Sequence, residues 1–289
     1  MIVVTGSYGR VGRAICAELE EHGLEWQGID LSAQPQFTPS GRFAHRQGDL
    51  KRFGSAVEML ANATAIIHTA AIAYPDFSTE HETFISNVAM TFNVLSVAKL
   101  FNIKKVVSLS SEKVYGFPFS HKKPLYFPID ESHPIQSEGA YGLSKSVGEF
   151  INNGFDFDDK YSIISIRSTL VQSVNNYPDY PGFVDDPAIR IWALWSYIDV
   201  RDLARACRLA VQADLPGIHA FSIAAPDTVM DMPSADLAAK FFPNVPTRWP
   251  SNASPFSSFC DTKKAEIELE FVAQHRWRDE LKQLNGQTE

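Results

Sequence analysis

The sequence predicts an α/β protein, a doubly wound parallel sheet followed by a small C-terminal lobe. Three observations predict it. Short apolar runs rich in Val and Ile alternate with segments of helical period over most of the chain. A glycine loop, Gly6-Ser7-Tyr8-Gly9-Arg10-Val11-Gly12, separates the first run from the first helical segment, and the next run ends in Asp30. A strand, a glycine loop, a helix and then an acidic residue at the end of the second strand describe a Rossmann-type sheet.

The elements follow in order. Ile2–Thr5 reads as a strand buried on both faces, and Val11, Ile15 and Leu19 recur at helical spacing behind the glycine loop. Glycines there permit the tight turn and let the backbone approach a pyrophosphate, whose charge is met by the helix N-terminus. Trp26–Ile29 is the second strand. The Asp30 carboxylate accepts hydrogen bonds from ribose hydroxyls and repels a 2′-phosphate, so NAD is favoured over NADP. Arg10, Arg42 and Arg46 are candidate phosphate partners that keep NADP open.

A third strand is expected from Arg42 to Leu50, ending in Asp49-Leu50, and then a helix near 54–61. Ala65–His68 is the fourth strand, running into Thr69-Ala70-Ala71. A helix over about 80–101 is expected to bury Phe84, Val88, Phe92 and Leu95. Lys105–Ser110 is the fifth strand, with Ser111 just past its C-terminal end, the edge at which open parallel sheets collect ligands. Residues 112–138 hold four prolines and read as a long loop. A helix carrying Tyr141 and a strand over 162–167 follow.

Beyond Arg167 the pattern loosens. Residues 168–195 read as loop and short helix, 195–200 as a strand, 201–213 as a helix and 221–223 as a strand. The tail from Thr228 mixes short helices with Pro-rich turns. The expected division is an NAD-binding domain over 1–167, completed by about 196–225, and a smaller substrate-binding lobe from 168–195 and 226–289.

Composition narrows the function. A formal charge of −8 and a pI near 5.5 argue against a nucleic-acid partner. Cys16, Cys207 and Cys260 are scattered, which points to thiols in a reducing compartment. No apolar run reaches transmembrane length and Met1 leads straight into a strand, so the reading is cytoplasmic, without membrane contact. His68 invites a catalytic or metal role, but the end of a buried strand favours a packed histidine. The other histidines show no ligand spacing, so no metal is expected.

Tyr141 and Lys145 share one face of their helix. A free phenol keeps its proton to pH ~10, and an ammonium ~4 Å away at an effective dielectric of ~20 favours the phenolate by ~4 kcal/mol before desolvation. Such a tyrosine approaches neutrality, where a base that must also return its proton works best. The pair alone is a weak signal, since two common residues at helical spacing more often form a solvated face.

Taken together, these residues resemble the extended short-chain dehydrogenases/reductases, the NAD-dependent epimerase/dehydratase family. The resemblance runs through Thr5-Gly6-x-x-Gly9-x-x-Gly12, Asp30, Gly48-Asp49-Leu50, His68-Thr69-Ala70-Ala71, Asn87, Ser110-Ser111-x-x-Val114-Tyr115-Gly116 and Tyr141-x-x-x-Lys145. It continues through Tyr197-Ile198-Asp199-Val200-x-Asp202-Leu203-Ala204, Asp261-Thr262-x-Lys264-Ala265 and Leu269-x-Phe271. The resemblance implies a catalytic triad of Ser111, Tyr141 and Lys145. In it, Tyr141 takes a hydroxyl proton while hydride leaves the same carbon for the nicotinamide, Lys145 tunes the phenol and holds the nicotinamide ribose, and Ser111 hydrogen-bonds the reacting oxygen. It also implies cofactor contacts from Gly6, Gly9, Arg10, Val11, Gly12, Asp30, Asp49, Leu50, Ala70, Ala71, Asn87, Tyr141 and Lys145. A homodimer built on the 80–101 and Tyr141 helices is a further family expectation.

Two departures narrow the resemblance. Dehydratases of the family carry Thr-Asp-Glu before Val-Tyr-Gly, whereas this chain has Ser111-Glu112-Lys113, and a lysine in place of the base counts against water loss. The stretch from Ser168 to Trp195 is only 28 residues, short for wrapping a nucleoside diphosphate and similar to the uronate dehydrogenases. Arg190 in this stretch is a candidate clamp for a substrate carboxylate, alongside a surface or interface role. Ser111, Glu112 and Arg190 are therefore the candidate substrate residues. The expected function is an NAD-dependent oxidoreductase acting on a hydroxyl of a small sugar or sugar acid. The alternatives are an NAD-retaining sugar epimerase and a non-catalytic NAD sensor.

Overall fold

The computed structural model describes residues 1–33, 45–73, 78–155 and 160–286. Seven strands make one sheet: β1 (Ile2–Thr5), β2 (Trp26–Asp30), β3 (His45–Gln47), β4 (Ala65–His68), β5 (Lys105–Leu109), β6 (Ser162–Ser168) and β9 (Gly217–Ile223). Their spatial order is β3-β2-β1-β4-β5-β6-β9. Between β6 and β9 in the chain, β7 (Val171–Gln172) and β8 (Ile198–Asp199) pair as a separate parallel ribbon. The order reverses at β1 and β4, which places the switch point beside the glycine loop. Around the sheet the chain forms α1 (Arg10–Glu21), α2 (Phe53–Leu60), α3 (Glu80–Leu100), α4 (Gly139–Gly154) and α5 (Val200–Gln212), followed by α6 (Ser234–Phe241), α7 (Lys263–Glu268) and α8 (Trp277–Gly286).

The chain divides into two compact units. The first comprises Met1–Ser111, Gly139–Ile166 and Ala204–Ala220, and the second comprises Glu112–Glu138, Arg167–Leu203 and Phe221–Glu289. The sequence division differs in assigning residues 112–138 to the first unit. Their ties are to the second: Phe127 N–H donates to Pro246 O, and Ile129 N–H to Phe259 O.

In the first unit, Val3, Ile66, Val106 and Ile163 of the strands are buried together with Val94, Leu95, Val97 and Ala98 of α3. Register aligns Thr5 with His68, His68 with Ser108, and Ser108 with Ser165. Neighbours in parallel register point to the same face, so a buried polar row lies near the C-terminal ends of four adjacent strands. The second unit has its own aromatic core, built from Phe117, Phe127, Tyr177, Tyr180, Trp195 and Phe259 among others.

The described part of the third strand is only His45–Gln47; residues 42–44, with Arg42, lie outside the described residues. Residues 195–197 do not continue the predicted strand, because Leu194 and Trp195 adopt left-handed φ of 45° and 53°, which breaks extension before Ile198. On α3 the expected stripe is only partly inward: Leu95 is buried, Phe84 and Val88 are half-buried and Phe92 is 49% exposed. The inward face holds Thr83, Ser86, Asn87, Val94, Val97 and Ala98 instead. The sequence predicts no run of spanning length, yet α3 alone among the described helices is long and apolar enough to cross a membrane. Half of that stretch is buried within the protein, as befits a core helix.

Candidate active site

The glycine loop is shaped by contacts that leave no room for side chains. Gly6 adopts φ +67°, and a Cβ on it would lie 2.8 Å from Ala70 Cα and N. A Cβ on Gly12 would lie 2.1 Å from Gly6 O. The end of β1, the Thr69-Ala70-Ala71 segment and the first turn of α1 are thus pressed together, and Thr5 Oγ1 accepts a hydrogen bond from Ala70 N at 3.2 Å. Gly9 is the N-cap of α1 and offers no side-chain cap, so the first-turn amides around Arg10, Val11 and Gly12 present the positive end of the helix dipole. Arg10 is exposed there.

Asp30 ends β2. Its carboxylate accepts Tyr8 N at 2.9 Å and Ser32 N at 3.1 Å, which fixes it beside the loop. Asp49 caps its own turn by accepting Lys51 N at 3.0 Å, and Leu50 is buried with its carbonyl held by Asn93 Nδ2. Arg46 is engaged elsewhere, with its guanidinium 3.1 Å from Glu58 Oε1, so it is held on α2 rather than beside Asp30. Tyr8 and His45 carry no signal in the sequence. Their rings stack at 4.6 Å, and His45 Nδ1 lies 2.9 Å from Ser7 Oγ. No local pattern marks this pair, because the two residues meet only when β3 packs beside β2.

The glycine cradle, the uncapped helix end and the fixed carboxylate fit a dinucleotide, with its diphosphate at α1 and its ribose at Asp30.

Asn87 of α3 is buried and occupied. Its Oδ1 accepts Ile72 N at 2.8 Å, and its Nδ2 donates to Ile72 O at 3.0 Å and to Ser144 Oγ at 3.1 Å. It therefore joins the segment after β4 to α4. Ser144, which the sequence reading missed, donates in turn to Tyr141 O at 2.7 Å. Its position one before Lys145 gave no signal, since its role depends on α3.

Ser111, Tyr141 and Lys145 all belong to the first unit. Ser111 is buried just past β5. Lys145 Nζ donates to Leu109 O at 2.7 Å, tying α4 to the end of that strand, and lies 5.6 Å from the centroid of the Tyr141 ring. Burial lowers the Lys145 pKa to about 8, against an opposing pull from Glu149. At neutral pH the ammonium is still charged and can favour a phenolate. His68 is a packed histidine. Its Nδ1 lies 2.8 Å from Thr5 Oγ1, and burial with the nearby Lys145 charge drives its pKa down to about 3. Among the described residues no three His, Cys, Asp or Glu side chains converge as a metal site.

Glu112, Lys113 and Arg190 belong to the second unit. Glu112 is 3% exposed, and burial raises its pKa to about 8 against the charges of Lys113 and Arg190. At neutral pH it is a carboxylic acid that can donate as well as accept a hydrogen bond. The Lys113 pKa is pushed down by burial and held up by Glu112. The Arg190 guanidinium is buried among aromatic rings, 4.9 Å from the centroid of Phe183 and 5.2 Å from that of Trp192. The Arg190 charge thus bears on Glu112.

Over 155 residues the chain is 31% identical to a Methanocaldococcus jannaschii protein named provisionally as a UDP-glucose 4-epimerase, covering 52% of this chain and 48% of that one. It is 28% identical over 174 residues to a uronate dehydrogenase of Pseudomonas putida, covering 57% and 59%. These matches span about half the length of each relative. A short-chain dehydrogenase/reductase superfamily protein from Agrobacterium tumefaciens, solved with bound NAD, superposes with a TM-score of 0.72 at 21% identity, covering 98% of this chain and 95% of that one. The UDP-glucose 4-epimerase of Thermotoga maritima, solved with UDP-glucose, gives 0.73 at 17% identity, covering 100% and 99%. At those identities the structures speak for the fold. The model of the NAD dependent epimerase/dehydratase family matches residues 2–224, and the chain belongs to that family.

Proposed function

We propose that the protein is an NAD-dependent oxidoreductase acting on a hydroxyl carbon of a small sugar or sugar acid. The observation that carries this reading is the placement of Lys145: its ammonium is anchored to the end of β5, the strand that delivers Ser111, and sits close to the Tyr141 ring. Lys145 stabilises Tyr141 as phenolate, which takes the hydroxyl proton as hydride leaves the same carbon for the nicotinamide, and Ser111 donates a hydrogen bond to the reacting oxygen. When bound, NAD supplies the hydride acceptor. Gly6, Gly9 and Gly12 with the α1 N-terminus would hold its diphosphate and Asp30 its adenosine ribose. Arg10, Val11, Asp49, Leu50, Ala70 and Ala71 would add contacts from the neighbouring loops, and Asn87 holds the Ile72 backbone that follows Ala70 and Ala71.

The substrate class rests on two features. The segment 168–195 is compact, with ten residues in one 3-10 helix (Val174–Phe183) and seven in another (Pro187–Ala193). Lys113, where dehydratases of this family carry a base, counts against loss of water. Arg190 supports recognition of an acidic sugar through its charge, and protonated Glu112 supports recognition of a hydroxyl. We assign the protein to the cytoplasm. We also assign it a homodimeric state, supported by the apolar side chains that α3 and α4 expose, among them Ile85, Phe92, Leu143 and Phe150.

The second reading is an NAD-retaining sugar epimerase, favoured by the epimerase names among the relatives. Incubation with NAD and a panel of uronic acids, aldoses and UDP-sugars, followed by nicotinamide absorbance, separates the two. Growth with a uronic acid or aldose supports the oxidoreductase. No growth, with epimer formation seen by NMR, supports the epimerase, and growth with a UDP-sugar alone contradicts the substrate class.

A further inference from the structure

We propose that Glu149 is a positioning residue for this chemistry, a buried counter-charge anchored by Ser110 that keeps the Lys145 ammonium charged and in place. The inference rests on the reading of Tyr141 and Lys145 given above. Glu149 stands four residues beyond Lys145 on α4, one turn along the same face. Pairs at this spacing are usually solvated and contribute little. This one is not solvated: Glu149 is 7% exposed, and Ser110 Oγ donates to its Oε1 at 2.5 Å. Ser110 is itself fixed, since its N–H donates to Ile166 O at 2.8 Å. Consecutive residues at the end of β5 thus hold the two charges, Leu109 through its carbonyl and Ser110 through its hydroxyl.

The surroundings are built for a charged group. Lys145 and Glu149 line a polar cavity of about 20 Å³ with His68, Ser108, Asn152 and Ser165. That volume suits a single water molecule. Ser108 Oγ and Asn152 Oδ1 are buried there without a protein hydrogen-bond partner, and so can serve such a water. Among the described titratable groups around Lys145, His68 is neutral and Tyr141 is the proposed base, which leaves Glu149 to balance the ammonium. A half-buried ammonium without a counter-charge holds its proton less tightly. Lys145 without Glu149 would stabilise a phenolate poorly at neutral pH.

The test is a pH titration of the Lys145 side chain by NMR on protein carrying ¹³Cε-lysine, with the Lys145 signal assigned by its loss in Lys145→Arg. In Glu149→Gln the Lys145 midpoint should fall by about one pH unit or more, a tenfold loss of proton affinity. Glu149→Asp should recover part of the shift. An unchanged midpoint in folded Glu149→Gln overturns the proposal. If that variant does not fold, Ser110→Ala takes its place: a smaller fall in the midpoint supports the proposal and an unchanged one overturns it. These readouts need no substrate. Wild type that oxidises no sugar would count against the proposed function, whereas an unmoved Lys145 midpoint would count only against Glu149.

Discussion

Lys145 Nζ lies 5.6 Å from the centroid of the Tyr141 ring while it donates its hydrogen bond to Leu109 O. The lysine therefore bears on the tyrosine through its charge, from an anchor on the neighbouring strand. Over roughly 6 Å, at an effective dielectric of ~20, such a charge favours a phenolate by about 3 kcal/mol before desolvation. Lys145→Met removes that charge and should lower kcat/KM by roughly 10²-fold or more. In wild type the Lys145 proton is lost near pH 8, so kcat/KM should decline as pH rises above about 8. A rate that stays level well above that pH would contradict this role.

Cofactor choice follows from Asp30, whose carboxylate is fixed by Tyr8 N and Ser32 N. A 2′-phosphate there meets like charge, and Arg46 is held by Glu58. Asp30→Ala should weaken NAD and improve NADP, shifting the ratio of their kcat/KM values by roughly tenfold or more, equivalent to about 1.4 kcal/mol. Initial rates with each cofactor check it.

Glu112 gives a stability prediction with a defined sign. Burial lifts its folded pKa to about 8, above the unfolded value of roughly 4.3. The folded chain then holds the extra proton between those limits, so this group's contribution to stability falls as pH rises through that window. Glu112→Gln removes the dependence. Thermal denaturation should find the variant close to wild type near pH 5 and more stable than wild type near pH 8.5.

Gly12 tests the cofactor cradle. A methyl group there would sit 2.1 Å from Gly6 O, inside any permissible contact, so Gly12→Ala must push the loop and α1 apart. The expected results are a loss of about 1–3 kcal/mol in stability and NAD affinity reduced more than tenfold, measured by denaturant unfolding and by calorimetry.

Most of the sheet was legible because buried parallel strands must be continuous apolar runs. Ile2–Thr5, Ala65–His68 and Lys105–Leu109 appear where those runs lie. The glycine loop was legible for a similar reason, since its spacing answers a steric demand within a few residues. Less was legible on α3, whose apolar and polar residues are spread around the helix, so periodicity does not distinguish the buried Leu95 from the exposed Phe92. The strand expected at 195–197 failed because left-handed Leu194 and Trp195 turn the chain there. Of the site, Tyr141 and Lys145 stood out by spacing. Ser144, Glu149 and the Tyr8–His45 stack did not, because each depends on a partner from another element: Asn87 of α3, Ser110 past β5, and β3 packed beside β2.

The role of Tyr141 as the base is tested most directly by comparing Tyr141→Phe with wild type on the sugar that gives the fastest nicotinamide reduction. The expected result is a fall in kcat of roughly 10²–10⁴-fold, with NAD affinity by calorimetry within about threefold of wild type, since the diphosphate and adenosine ribose would be held at α1 and Asp30. Turnover within tenfold of wild type, with NAD binding intact, would contradict it.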